Sequence, residues 1–189
     1  MTYCSTGDVK AYLGIAEATD DTLITALVTR AQAAVNRFCN RVFEATADST
    51  RTFDASGPHI IGPTLYLDRD LCAITSIANG DGTTIASTKY VTLPRNDTPY
   101  YGIKLKTHSG VLWTYVDDWE GAISITGKWA YSLTAPADIV QATVRLAAFY
   151  YRQKDTPLQD VTAIEAGVVI RPLAWPDDVR GLLANYRRV

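Results

Sequence analysis

The stretch GKWAYSLTAPADIVQATVRLAAFYYRQKD, residues 127–155, changes character halfway. It begins as the end of a strand, passes through a polar turn and continues as a helix over about 136–154. The polar side chains of this helix form one narrow stripe, which consists of Asp138, Gln141, Arg145 and Arg152. A helix with so little polar surface must be covered on two sides.

The apolar positions of this helix fall into two seams. The first seam consists of Ile139, Ala142, Leu146, Phe149 and Tyr150, and the second consists of Val140, Val144, Ala147 and Tyr151. A helix that begins near Asp20 is expected to cover one seam. The other can be covered by the sheet or by another copy of the protein, and composition does not decide between these alternatives.

Two further helices are predicted over about 6–43. Ser5 or Thr6 can cap a short first helix, which Gly14 ends. The second helix has Thr19 as its expected N-cap, and the acids that follow suit the positive end of a helix. Its apolar residues recur at helical spacing, so we expect an ordinary amphipathic helix.

Between about 50 and 130 the hydrophobic period becomes that of strands. The segments TLYL, CAITSI, KYVTL, GIKLK and GAISITGKW are short, rich in β-forming residues and separated by turns. NGDG at 79–82 predicts a hairpin turn, and loops are expected at 96–101 and 116–121. The alternation in the last segment predicts an antiparallel sheet with one buried side.

The C-terminal part is predicted to be an arm over about 156–175, followed by a short helix over about 176–187. The order of elements is therefore helix, helix, sheet, helix, arm, helix. We expect an α+β fold in one domain of residues 1–189, a small helical bundle with an inserted antiparallel β-subdomain.

Composition and charge exclude several classes of protein. The chain has 189 residues, of which 47% are hydrophobic and 20% charged, which is typical of a globular protein. The net charge of -2 gives no basic excess for binding nucleic acid. Cys4, Cys39 and Cys72 are too widely spaced to predict a disulfide framework or a zinc site. We predict no signal peptide and no membrane span.

No catalytic constellation is evident in the sequence. His59 and His108 lie in turn-like surroundings, and neither has a partner at ligand or triad spacing. The acidic DDWE segment at 117–120 could offer oxygen ligands to a cation, but a solvated loop is the simpler interpretation. We therefore expect no enzyme activity, no metal and no cofactor.

The N-terminal helices have the rhythm of a helix-turn-helix, which is typical of DNA-binding regulators. A recognition helix needs basic or amide side chains near its start, whereas this second helix starts with Asp20 and Asp21. Because these acids would repel phosphates, the regulator is the weakest hypothesis.

The order of five segments resembles the phage head-tail connector family, the adaptor or head-completion proteins of tailed phages. The segments are DVKAYLGI, DDTLITALVTRAQAAVNRFCNRVF, ISITGKWAYS, PADIVQATVRLAAFYYRQKD and PDDVRGLLANYRR. The predicted sheet matches the family only in position and character. The resemblance implies a structural virion protein without catalysis, assembled in the host cytoplasm and located at the head-tail junction.

The resemblance also implies partners. Copies of the chain would form a ring, typically of about twelve subunits, and a helix with two apolar seams suits such a closed head-to-tail assembly. The ring would bind the portal protein and a tail-completion or stopper protein. It would continue the DNA ejection channel without binding DNA specifically, because tight phosphate contacts would retard passage. No membrane is implied.

Candidate residues follow from this resemblance. The subunit-interface candidates on the long helix are Val140, Val144, Ala147, Tyr151 and Arg145. The portal-docking candidates in the C-terminal region are Trp175, Tyr186, Arg187 and Arg188. The channel-facing candidates in the arm are Asp160 and Glu165, and Asp117, Asp118 and Glu120 are alternatives.

A monomeric binding module is the rival hypothesis. Its β insertion would present aromatic side chains to a carbohydrate or protein ligand, and the candidates are Tyr66, Tyr90, Tyr100, Tyr101 and Trp113. Aromatic residues on strands more often belong to the core, which favours the connector.

Overall fold

Four helices and seven strands make up the described part of the chain, which in this computed structural model is residues 2–155 and 175–188. The helices are α1 (Thr6–Leu13), α2 (Asp21–Cys39), α3 (Ala137–Arg152) and α4 (Asp177–Ala184). The strands are β1 (Ser49–Phe53), β2 (Ile60–Ile61), β3 (Thr64–Leu71), β4 (Ala73–Ala78), β5 (Tyr90–Leu93), β6 (Tyr100–Leu105) and β7 (Ile123–Lys128). Short 3-10 turns lie at Ser87–Lys89 and Gln153–Asp155. The predicted α+β class is confirmed.

Internal contacts divide the chain into two compact units. The helical unit consists of Met1–Asn40 and Pro136–Val189, and the β unit is the continuous stretch Arg41–Ala135. In sequence, the β unit therefore interrupts the helical unit.

The two ends of the β unit are tied to each other. The N–H of Tyr131 donates to the carbonyl oxygen of Val42 at 2.8 Å. The Ser132 hydroxyl donates to the carbonyl oxygen of Phe43 at 3.1 Å. The Phe43 side chain is fully buried and packs on the Tyr131 ring, with centroids 5.7 Å apart. Backbone and side-chain contacts thus join the first residues of the β unit to its last residues.

The predicted caps of the first helix are confirmed. The Ser5 hydroxyl accepts a hydrogen bond from the N–H of Asp8, and the Asp8 carboxylate accepts one from the N–H of Ser5. This reciprocal pair is a capping box, which satisfies donors that the first helical turn leaves free. Gly14 ends α1 in the left-handed conformation, with φ 73°.

Several helix boundaries differ from the predicted ones by one to four residues. The N-cap of α2 is Asp20 and not Thr19, and α2 ends at Cys39 because Asn40 adopts a left-handed conformation with φ 51°. Pro136 is itself the cap of α3, since its ψ of 150° is extended. The last helix, α4, ends at Ala184.

The core of the helical unit surrounds α3, which packs against α1, α2 and α4. Its fully buried side chains come from all four helices and include Val9, Ile24, Val35, Ile139, Leu146, Val179 and Leu183. Burial of one such aliphatic side chain stabilises a fold by about 1.5–3 kcal/mol.

The β unit contains two antiparallel sheets. The order is β1-β7-β4 in the first and β2-β3-β6-β5 in the second. NGDG forms the predicted turn, in which the Asn79 N–H donates to the Thr83 carbonyl oxygen at 2.8 Å and Gly82 has φ 79°. The loop predicted at 96–101 is shorter, because β6 already begins at Tyr100.

Both sheets bury their inner faces in one core. Its most completely buried members are Leu65, Leu71, Ile77, Ile103, Leu105, Ile123 and Ile125. Gly127 allows the close approach of β4 to β7, because a Cβ atom there would lie 2.2 Å from the Ala73 carbonyl oxygen. The predicted alternation of β7 is confirmed, with Ile123 and Ile125 buried and Ser124 and Thr126 more exposed.

Candidate functional site

The second apolar seam of α3 is largely covered by the chain's own helices. Val144 and Ala147 are buried, with exposures of 6% and 0%. Val140 and Tyr151 are half-buried and retain accessible surface. A neighbouring subunit is therefore not needed to cover Val144 and Ala147, because α1, α2 and α4 pack around this helix.

Tyr151 belongs to a polar cluster at the end of α3. Its hydroxyl donates to Asp20 Oδ2 at 2.5 Å, and Lys154 Nζ donates to the same oxygen at 2.5 Å. The Lys154 ammonium also lies 4.2 Å from the centre of the Tyr151 ring. These hydrogen bonds, first from Lys154 and then from Tyr151, hold the pKa of the Asp20 carboxyl below its usual value.

Both acids at the start of α2 are paired within the helical unit. Asp21 accepts a hydrogen bond from Lys10 Nζ at 2.7 Å, while Asp20 binds Lys154. A helix start whose carboxylates hold lysines offers no basic side chain to a phosphate. This geometry does not favour the helix-turn-helix hypothesis.

Arg145, the charged interface candidate, forms an ion pair with α4. Its Nη1 atom lies 2.5 Å from Asp178 Oδ2, and both side chains remain partly exposed. Exposed pairs of this kind contribute about 0–1 kcal/mol. Arg145 thus links two helices and keeps a surface that a partner can reach.

Two portal-docking candidates meet on one aromatic ring. The Trp175 ring packs on Phe38, with centroids 5.4 Å apart and an angle of 35° between the planes. The Arg187 guanidinium lies 5.3 Å from the centre of the same ring. The sequence places Phe38 among the helically spaced apolar residues of α2, but it gives no sign that this ring meets the C-terminal candidates.

The other two docking candidates also contact the helical unit. The N–H of Arg188 donates to the Cys39 carbonyl oxygen at 2.9 Å. The Tyr186 hydroxyl donates to Asp138 Oδ2 at 3.3 Å. All four C-terminal candidates therefore contact the helical unit, near the C-terminal end of α2 or the N-terminal end of α3. The channel-facing candidates Asp160 and Glu165 lie outside the described residues.

The aromatic residues of the β unit do not form one binding surface. Tyr90, Tyr100 and Trp113 pack against the β core. Tyr66 and Tyr101 are exposed, but β3 and β6 pair in a register that places Tyr66 opposite Gly102. Because successive residues of a strand point to opposite faces, Tyr66 and Tyr101 project from different sides of the sheet. The rival binding module therefore lacks the surface on which it depends.

The titratable side chains of the described residues show no grouping typical of a metal site. Cys4, Cys39 and Cys72 are buried and form no disulfide, and burial, with a smaller contribution from Asp8, raises the pKa of Cys4 to about 11. Across 2–155 and 175–188, no cluster of three His, Cys, Asp or Glu residues could hold a metal ion. None of the helices in those ranges is long and apolar enough to span a membrane.

Comparison with known proteins gives one family and several similar folds. The sequence model described as "Head completion protein" matches residues 2–189. A chain from the neck of an empty gene transfer agent (GTA) particle, computed with C6 symmetry, is 16% identical with a TM-score of 0.63. The alignment covers 99% of this chain and 90% of that chain. No curated protein matches the sequence.

Two more solved chains share the fold. One belongs to the virion of a native GTA particle, with a TM-score of 0.62, 16% identity and coverage of 99% and 90%. The other belongs to the neck of a native GTA particle computed with C12 symmetry, with a TM-score of 0.58, 16% identity and coverage of 97% and 88%. At this level of identity the likeness is one of fold.

Proposed function

This chain belongs to the head completion protein family, and we propose that it joins the portal vertex of a phage-type capsid to the tail as a structural component of the virion. The family match over residues 2–189 is the observation that carries this proposal. The similarity of fold to chains from GTA necks supports the same location.

The proposed assembly is a ring that surrounds the path of the DNA. Cyclic symmetry in the two similar necks supports a ring. On α3, the interface would use the three candidates that keep accessible surface, Val140, Arg145 and Tyr151. Val144 and Ala147 would contribute indirectly, by fixing α3 within its own helical unit.

The C-terminal residues are the proposed contact with the portal protein. Arg187 is held over Phe38, and Arg188 is held by its backbone at the end of α2. Two neighbouring guanidinium groups offer charge-assisted hydrogen bonds to carboxylates of a partner. Trp175 and Tyr186 would then support this contact by packing and by hydrogen bonding.

The remaining partners follow from the same location. A tail-completion or stopper protein would bind the opposite side of the ring, and DNA would pass through it. Asp160 and Glu165 are the proposed lumen residues, because carboxylates weakly repel phosphates and so do not retard the DNA.

Deletion of the gene from the genome that encodes the particle tests the proposed function. We expect DNA-filled heads that lack tails, and expression of the full chain in trans should restore tailed particles. Cryo-electron microscopy of the restored particles should locate the chain between head and tail. Normal tailed particles without the chain would overturn the proposal.

A further inference from the structure

An exposed loop of the β unit carries an unusual amount of apolar surface. It spans residues 112–120, and its exposed large hydrophobic side chains are Leu112, Tyr115, Val116 and Trp119. Leu112 and Val116 are 73% and 67% exposed. Exposed apolar residues clustered in this way mark interaction surfaces.

Buried hydrogen bonds fix the start of this loop. Asn79 is only 4% exposed, and its Nδ2 donates to the Leu112 carbonyl oxygen at 2.8 Å and to Thr114 Oγ1 at 3.1 Å. Its Oδ1 accepts from the N–H of Thr114 at 3.1 Å. The N–H of Gly80 donates to the Thr114 carbonyl oxygen at 3.0 Å. A Cβ atom on residue 80 would lie 2.3 Å from that oxygen, so glycine permits this close approach.

The far end of the loop is fixed as well. The Trp119 carbonyl oxygen accepts from the N–H of Ala55 at 2.8 Å, and the N–H of Gly121 donates to Asp54 Oδ1 at 2.8 Å. A loop held at both ends loses little conformational entropy when it binds, which favours association. The 112–120 loop is thus a preorganised surface.

A groove of about 570 Å³ on the second sheet has the opposite character. Its lining includes five basic side chains, which we call the lysine groove: Lys89, Arg95, Lys104, Lys106 and His108. None of the carboxylates in the described ranges forms an ion pair with them.

The strand register concentrates like charges in this groove. Val91 on β5 pairs with Lys104 on β6, and two residues further along the N–H of Lys106 donates to the Lys89 carbonyl oxygen at 2.9 Å. Lys89 and Lys106 therefore face each other across the two strands, with Lys104 on the same face. Like charges directly opposite each other destabilise a sheet.

Backbone carbonyl groups hold these lysines in place. Lys89 Nζ donates to the Ser109 carbonyl oxygen at 2.8 Å, and Lys106 Nζ donates to the Thr88 carbonyl oxygen at 2.8 Å. An ammonium group has three donors, so each keeps donors for an incoming anion. The groove therefore offers hydrogen-bond donors to negative charge that no described carboxylate of the same chain brings to it.

The 112–120 loop carries that negative charge. Asp117, Asp118 and Glu120 are exposed, and Asp118 Oδ1 accepts a hydrogen bond from the N–H of Glu120 at 3.1 Å. In the described residues, no cation pairs with any of the three. Two complementary surfaces of one chain therefore both lack an ionic partner within residues 2–155 and 175–188.

We propose that the 112–120 loop of one copy of the chain binds the lysine groove of the next copy, as part of a head-to-tail subunit interface. This inference rests on the proposed ring, since an interface between two different surfaces of the same chain closes into a ring when the rotation permits. The carboxylates would pair with the lysines, and the apolar side chains of the loop would exclude water around them. A duplex DNA bound in the groove is the alternative outcome.

Charge reversal of each surface tests the interface in the full chain. The groove variant carries Lys104→Glu and Lys106→Glu, and the loop variant carries Asp117→Lys and Asp118→Lys. A third chain carries all four changes and has the net charge of the original. The control reverses Arg30 and Arg37 to Glu, which are exposed on α2. Circular dichroism and thermal unfolding should show that every variant folds.

Self-association is measured by sedimentation up to about 1 mM protein, where even weak complexes are half-formed. The original chain and the control should form oligomers that weaken with salt. Each two-residue variant should be monomeric, and the four-residue chain should recover association. An equal mixture of groove and loop variants should also recover association, because unlike variants attract at both contacts: the reversed groove meets the reversed loop, and the original loop meets the original groove.

A carbodiimide, which joins carboxylates to amines in contact, locates the contact. In a mixture of isotope-labelled and unlabelled chains, cross-links should join Lys104 or Lys106 of one copy to Asp117 or Asp118 of another. Association unchanged by either reversal, no recovery in the four-residue chain, no association of the original chain, or loss only of binding to short duplex DNA would each overturn the proposal.

Particle assembly separates this inference from the proposed function. If the groove and loop variants still restore tailed particles, the head-tail role stands and this interface is wrong. If the original chain itself is absent from the head-tail junction, the proposed function fails.

Discussion

The guanidinium group of Arg187 lies over the Phe38 ring, 5.3 Å from its centre, and so attaches the end of the chain to the last turn of α2. A cation above an aromatic face contributes about 0.5–1 kcal/mol at an exposed site. Part of the positive charge proposed for portal docking is therefore oriented by the helical unit before any partner arrives.

Reversal of both C-terminal arginines should separate folding from docking. We expect Arg187→Glu with Arg188→Glu to lower the free energy of unfolding by about 1 kcal/mol, since the cation–π contact of Arg187 with Phe38 is lost. Binding to a portal ring should fall strongly, because the charge offered to the partner is inverted. Arg187→Lys is the control, and tail joining that is normal in the double reversal would contradict the docking role.

The burial of Val144 predicts that a charge there affects the fold itself. Val144→Asp places an unpaired carboxylate among α1, α2 and α4, and we expect a loss of at least about 3 kcal/mol in denaturant unfolding. Val140→Asp, on the accessible side of α3, is the matched comparison. It should retain the fold and lose assembly, and equal destabilisation by both changes would show that Val140 is also required for the core.

The carboxyl group of Asp20 predicts a dependence of stability on pH. Its pKa is lowered in the folded chain by hydrogen bonds from Lys154 and Tyr151. A lowered folded pKa stabilises the fold above the unfolded value of about 3.9, and that contribution is lost as pH falls through the folded pKa. In denaturant titrations between about pH 5 and pH 2, Asp20→Asn should therefore show a shallower loss of stability than the original chain. Parallel curves would contradict this assignment.

Two glycines should respond to alanine in opposite directions. Gly127→Ala drives a Cβ atom into the Ala73 carbonyl oxygen between β4 and β7, and we expect a loss of about 1–3 kcal/mol or more. Gly181→Ala lies in α4, where no atom is within 4 Å of the added carbon, and alanine there should stabilise by about 0.5–1 kcal/mol. Thermal unfolding of the two variants checks both signs, and a harmless Gly127→Ala would mean that the strands can separate without cost.

The family and the fold class could be predicted because they depend on local patterns. The capping box at Ser5, the alternation along β7 and the order of the helices are all visible in one sequence, and the family match over 2–189 confirms the resemblance. The predicted helix boundaries were less accurate, since the sequence gives no strong signal that a residue such as Asn40 is left-handed and ends a helix.

What escaped prediction depends on distances between remote segments. The sequence could not show that α1 and α4 both pack on α3, which is why Val144 was expected at an interface although it is buried. Nor could it show that Lys89 faces Lys106, because the register of β5 against β6 is set by the turn between them. The aromatic partner of Arg187 was missed for the same reason.

The joined ends of the β unit have a consequence for how such proteins diversify. Because the N–H of Tyr131 donates to the Val42 carbonyl oxygen, the first and last residues of the β unit lie next to each other. Segments with adjoining termini can be replaced, lengthened or lost by recombination without disturbing the flanking scaffold. The β unit is thus a continuous stretch that recombination can replace as a whole while the sequence of the helices stays unchanged.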